Sequence, residues 1–235
     1  MLVKDLFEQL SYGEFRKYGV GNDDGEGIQP ADYPRVMPFV KLALTALHKK
    51  FLLRSNSVMV QQFGYISRYS LTNEHRQTDS TPGPIKYIMD TSYEPFEGGS
   101  LLKIEQVFSE TGDEYPLNDN GAGYSLFTPE YNVVEIAYPR NENAMNIIYR
   151  ADHLPLNSEG EDVPNQKINV SPAYMELLLM HIAGRYLMSS GSVEKESTGA
   201  NLLSRFEAGV IDLKSNGLNQ AEVHTNMKLE LRGWR

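Results

Sequence analysis

Residues 34–54 read PRVMPFVKLALTALHKKFLLR, the longest clean helical pattern in the chain. Val36, Val40, Leu44, Leu47 and Phe51 recur at helical spacing and share one stripe. Leu42, Ala43 and Ala46 broaden that stripe, as in a helix with more than one neighbour. The stretch therefore reads as the central helix against which other helices bury themselves. Asp32 is placed to cap its start, and Pro38, which lacks an N–H, predicts an irregular first turn.

Working outward, residues 2–18 are amphipathic, with Leu2, Leu6, Leu10 and Phe15 inward, and Gly19, Gly21, Gly25 and Gly27 end them. After Arg54 the texture changes. From Ser57 to Asp152 the chain is rich in Tyr, Val, Ile, Pro and Gly, and SVMVQQF, LLKIEQVF, NVVEIAY and MNIIYRA are candidate strands. SETGDEY reads as a hairpin connection with Gly112 at positive φ. TNEHRQTDSTPGP, residues 72–84, is too polar to pack and reads as a surface loop. Together these make an antiparallel unit of roughly five strands.

LNSEGEDVPNQ, residues 156–166, has the composition of a linker. Helix returns at Ser171 and Pro172, with Met175, Leu178, Leu179, Ile182 and Tyr186 on its apolar face. Residues 189–192 break it. A last helix over 193–215 turns Leu202, Leu203, Phe206, Val210 and Leu213 inward, and Gly217 suits its end. Residues 218–235, LNQAEVHTNMKLELRGWR, have neither strong period nor turns and read as an arm. The expected fold is α+β. An antiparallel helical bundle is formed by N- and C-terminal helix pairs (residues 1–54 and 165–216), with an inserted small antiparallel β domain (55–164) and an extended C-terminal arm (217–235).

The 235-residue chain is 40% hydrophobic and 23% charged, which fits a packed core. Its net charge of −9 argues against a general nucleic-acid binder. Cysteine is absent, so disulfides and thiol nucleophiles are excluded and a reducing cytosol is the simplest folding compartment. The N-terminus lacks the apolar core of a signal peptide, and no run approaches the ~20 apolar residues of a membrane span.

Chemistry-bearing patterns are sparse. No two of His48, His75, His153, His181 and His224 lie at local metal-site spacing. Phosphate-loop, nucleophile-elbow and zinc-protease motifs are missing. The loop Asn22-Asp23-Asp24-Gly25-Glu26-Gly27 suggests a calcium loop, but with Gly27 sixth the twelfth position is Tyr33 instead of the required Glu, and with Gly25 sixth the first is Val20. His48, Lys49, Lys50 and Arg54 cluster at the end of the central helix, where cations favour the helix dipole. The residues imply no catalytic site, metal or cofactor. Trp234 is the only tryptophan and stands between Arg232 and Arg235, residue types that anchor interfaces.

The order of elements and several phrases resemble a known family. These are LSYGEF, the stretch GVGNDDGEGIQPADYPRVMPFVKLALTALHKKF, IKYIMDTSYEPFEGGSLLKIEQVF, PLND, SLFTPEYNVVEIAYP and the terminal KLELRGWR. They look like the adaptor, or head-to-tail connector, proteins of short-tailed bacteriophages, also called tail tubular protein A. The resemblance implies a non-enzymatic structural virion protein. It implies a homo-oligomeric, dodecameric ring between the portal protein and the tail nozzle protein, with genomic DNA passing through the lumen without specific binding and no membrane involved. It implies a portal-binding arm, carried onto Lys228, Leu229, Glu230, Leu231, Arg232, Gly233, Trp234 and Arg235. Such a protein is assembled in the host cytoplasm and resides at the head–tail junction. Two alternatives are another phage tail or head-completion protein, and a polysaccharide hydrolase with two suitably spaced carboxylates in a cleft.

Overall fold

The computed structural model describes residues 1–18, 20, 27–139 and 143–217. It is a mixed α+β structure with four α-helices and two antiparallel sheets among the described residues. Two compact units divide the chain: a helical unit from residues 1–53 and 153–217, and a β unit, Arg54–Asp152.

The helices are α1 (Val3–Tyr12), α2 (Tyr33–Lys50), α3 (Met175–Met188) and α4 (Val193–Ser215). All four feed one apolar core, through Leu6 and Leu10, Leu44 and Leu47, Leu178 and Ile182, and Leu202 and Phe206. The hub of this core is α3, which corrects the reading of residues 34–54 as the central helix. α3 packs on each of the other three helices. Leu177, Leu178, Met180, Ile182, Ala183 and Leu187 are buried around its circumference, as suits a helix that is apolar on all sides. α2 is one-sided, and its Leu42 is 55% exposed.

The expected first helix is two pieces. The Gly13 N–H donates to the Gln9 carbonyl, and a Cβ at Gly13 would lie 2.7 Å from that oxygen, so the chain turns where only glycine fits. A 3-10 turn at Arg16–Tyr18 follows and leaves Phe15 fully buried, 5.0 Å from the Tyr186 ring. Asp32 does not cap α2 with its side chain. It accepts the Gln29 N–H at 3.3 Å and so braces the 3-10 turn Pro30–Asp32 that leads into the helix. α2 runs unbroken through Pro38, whose missing N–H deprives only the carbonyl of Pro34, in the first turn.

The stretch read as a linker, assigned through residue 164 to the β domain, belongs to the helical unit. Leu156, Val163 and Ile168 lie in the helical core. The Val3 N–H donates to the Gln166 carbonyl at 3.0 Å and the Ile168 N–H to the Met1 carbonyl at 2.9 Å, so this segment pairs with the N-terminus. The Gln166 side chain also bonds the Asn157 backbone through both its oxygen and its nitrogen.

In the β unit, β1 (Ser55–Gln61), β3 (Ile88–Met89), β4 (Leu101–Ser109) and β7 (Ala144–Ala151) form one sheet in the order β3-β1-β7-β4. β2 (Arg68–Ser70), β5 (Leu126–Phe127) and β6 (Val133–Ile136) form a second, ordered β2-β6-β5. The sequence suggested roughly five strands; β2, β3 and β5 are too short to show a period. Val58, Val60, Tyr69, Ile88, Val107, Val134 and Ile147 share one core between the sheets. Gly112 does take positive φ, +89°, and the turn returns the chain so that Tyr115 N–H donates to the Val107 carbonyl. The ends of the unit meet: the Ala151 N–H donates to the Arg54 carbonyl at 2.9 Å, and Arg54 Nη1 to the Asp152 carbonyl at 3.0 Å. Among the described residues, no helix is long and apolar enough to cross a membrane.

Candidate interaction surfaces

The residues singled out for an arm, Lys228 to Arg235, lie outside the described residues, as do His224 and Asn22, Asp23, Asp24 and Glu26. The basic cluster at the end of α2 does not converge on one point. His48 is buried, and its Nδ1–H donates to the Leu44 carbonyl one turn back. Lys50 instead pairs with Glu207 of α4 at 2.8 Å. Among the described residues, no three His, Asp or Glu side chains are grouped to hold a metal.

The helical unit's tightest feature is the seam between α3 and α4. A Cβ on Gly199 would lie 2.7 Å from the Gly184 carbonyl oxygen, and one on Gly209 would lie 2.5 Å from Leu177 Cδ2. His181 sits in this seam, 5% exposed, with its ring 4.8 Å from Phe206. Its Nδ1 has no hydrogen-bond partner among the described residues. Burial lowers its pKa to about 4, with Arg185 acting the same way and Glu207 opposing, so the ring is neutral at pH 7. Beside the seam, Glu14, Lys17, Tyr18, Thr198, Leu202 and Arg205 line a shallow recess of about 240 Å³. The Tyr18 hydroxyl donates to Thr198 Oγ1 there, joining the turn after α1 to α4.

In the β unit, polar side chains organise the loops. Asp90 accepts from Thr78 N–H, Thr78 Oγ1 and Phe96 N–H, so it clasps the loop 72–84 to the turn before β4. Burial pushes its pKa up, but these bonds and Arg76 outweigh that and leave it lowered. Tyr69 Oη accepts the Phe63 N–H and donates to the Phe63 carbonyl. Tyr87 does the same to Ser70, and its ring stacks on His75 at 4.3 Å.

The four-stranded sheet has a second face, away from the core. Strand register puts Met89, Met59, Asn146 and Phe108 in one row, one residue from each strand. The next row is Ser57, Ile148 and Gln106. Beyond it, Arg150 donates to Glu105 at 2.7 Å, and Lys103 donates to the other Glu105 oxygen at 2.8 Å. Met59 and Met89 are 46% and 40% exposed. Gln106 Nε2 donates to Glu114, yet Gln106 Oε1 and Asn146 Oδ1 are buried and meet no donor among the described residues. The alternation along β1 and β7 could have assigned Met59 and Asn146 to one face. The row across four strands depends on bulges between Leu101 and Lys103 and between Ile104 and Gln106, which no sequence period shows. No family model matches the chain, and no curated protein matches it.

Proposed function

We propose that this chain is the adaptor subunit of a short-tailed bacteriophage, a structural protein in a ring between the portal and the tail nozzle. The observation that carries the reading is the division of the chain. Residues 1–53 and 153–217 build one helical core while Arg54–Asp152 forms a β insertion, the order that the phrase resemblance implies. In this reading the two helix pairs act as one antiparallel bundle. The ring, of twelve copies, is closed by heterologous contacts, one face of a subunit against a different face of the next. The net charge of −9 suits a conduit that DNA slides through, because a negative wall repels phosphates. Residues 228–235 act as the portal-binding arm, with Trp234, Arg232 and Arg235 as anchors.

The test is a pull-down on purified portal rings by the full chain and by a truncation lacking residues 227–235. Retention of the full chain and loss of the folded truncation is the expected result. Equal retention of both overturns the role of the arm, and failure of both overturns the adaptor reading.

A further inference from the structure

We infer that one end of the β unit, built from the β1–β2, β4–β5 and β6–β7 connections, is a docking surface for a protein segment that presents arginine or lysine. Strand register gathers these connections. Gln61 at the end of β1 pairs with Ala144 at the start of β7, and Ser109 at the end of β4 pairs with Met145 beside it. In the smaller sheet, Arg68 at the start of β2 pairs with Glu135, and Leu126 at the start of β5 with Ile136, both at the end of β6. The Gln62 N–H donates to the Asn143 carbonyl and the Ile136 N–H to the Ser67 carbonyl, each at 2.8 Å. Arg54 and Asp152, where the chain enters and leaves the unit, lie at the other ends of β1 and β7.

The connections carry Phe63, Tyr65, Tyr115, Tyr124 and Tyr138. Phe63, Tyr115 and Tyr124 pack against the core of the unit. Tyr65 rests on Phe63 with ring centroids 5.7 Å apart, Tyr124 rests on Tyr115 at 5.5 Å, and the Tyr124 hydroxyl donates to the Tyr138 carbonyl at 3.5 Å. Tyr65 and Tyr138 are nevertheless 71% and 72% exposed. Tyrosines set among Gly, Asn and Ser on a rigid sheet scaffold are the make-up of protein-binding loops, because the ring gives contact area at little entropy cost.

Charge selects the partner. In sequence the three connections hold Glu110, Asp113, Glu114, Asp119 and Glu142 against Arg140. Glu110, Asp113 and Asp119 make no ion pair among the described residues. Such a surface attracts cations and repels phosphates. A guanidinium or ammonium group can also sit over a tyrosine face, which a carboxylate cannot. A neutral glycan would need free polar groups beside the rings. Here the Gly121 N–H takes Asp119 Oδ1, and Thr128 takes both side-chain atoms of Asn118. The inference goes beyond the adaptor reading and does not rest on it.

The test is fluorescence anisotropy of two labelled peptides, (Arg-Gly-Ser)3 and (Glu-Gly-Ser)3, titrated with the full chain. The arginine peptide is expected to bind and the glutamate peptide is not. Tyr65→Ala with Tyr138→Ala leaves the net charge unchanged and is expected to weaken binding roughly tenfold, as two lost cation–π contacts would. Tyr65→Phe with Tyr138→Phe keeps the ring faces and should bind within about twofold of the unmodified chain. Tyr93→Ala, in the β3–β4 connection, should change nothing. Circular dichroism checks that each variant is folded. Failure of the arginine peptide to bind overturns the proposal. So does equal binding by the double alanine variant, which would reduce the effect to net charge. Tyrosine-dependent binding of maltohexaose without binding of the arginine peptide overturns it in favour of a glycan. A dimer in sedimentation that the double alanine variant disperses overturns it in favour of a second copy.

Discussion

Tyr87 and Ser70 are joined twice: the phenol oxygen accepts the Ser70 N–H at 2.8 Å and donates to the Ser70 carbonyl at 2.9 Å. Tyr87 adjoins β3 of the larger sheet and Ser70 ends β2 of the smaller, so one side chain ties the two sheets. Tyr87→Phe keeps the ring and removes both bonds. The expected loss is about 1–3 kcal/mol, read from urea unfolding, because a partly buried N–H is left without its acceptor.

The same phenol sets an alkaline limit. Burial pushes the Tyr87 pKa up from 10.0 to about 12, while its Ser70 contacts oppose the rise. A raised folded-state pKa gives stability that is complete below pH 10 and is lost as pH climbs through 12. Unfolding at pH 9 and pH 11 should show this loss in the unmodified chain and a smaller one in Tyr87→Phe.

His181 sets the acid side with the opposite sign. Its pKa falls from 6.5 to about 4 on folding, so its contribution is present above pH 6.5 and is lost as pH drops through 4. His181→Leu should flatten the stability profile over that window. An unchanged slope between pH 7 and pH 5 would show that the ring is not held neutral.

The α3–α4 seam predicts a sharp contrast between two glycines. Gly199→Ala drives a methyl group into the Gly184 backbone and should cost about 1–3 kcal/mol, or separate the helices. Gly123→Ala has open space around it and should fall within about 0.5 kcal/mol of the unmodified chain. Thermal unfolding of the pair checks this.

Val163, inside the stretch with linker composition, is fully buried. Val163→Ala should destabilise the helical unit by about 1–3 kcal/mol, whereas the exposed Glu161→Ala should be nearly neutral. Equal behaviour of the two would return the segment to the status of a tether.

Long periodic stretches were legible. α2 and α4 fall where Val40, Leu44 and Leu47 and where Phe206 and Val210 placed them, since helical spacing survives in a single sequence. Residues 156–166 carry the composition of a linker because Leu156 and Val163 stand without a period among polar turn residues. The hub role of α3 is not legible in sequence because LLLMHIAG is apolar on all sides, and helical spacing marks a face only on a one-sided helix. The Tyr87–Ser70 tie joins residues far apart in sequence, so no local pattern announces it. The predicted arm falls outside the described residues, and its assignment stands on the phrase resemblance.

The closure of the β unit at Arg54 and Asp152 has a consequence for how such a chain can change. Neighbouring strands stand roughly 5 Å apart, so Leu53 and His153 leave the ladder side by side. A glycine bridge of a few residues would span that step without displacing the helical chain on either side. The whole cassette is thus exchangeable: a different β module with adjacent ends could be spliced into the same gap.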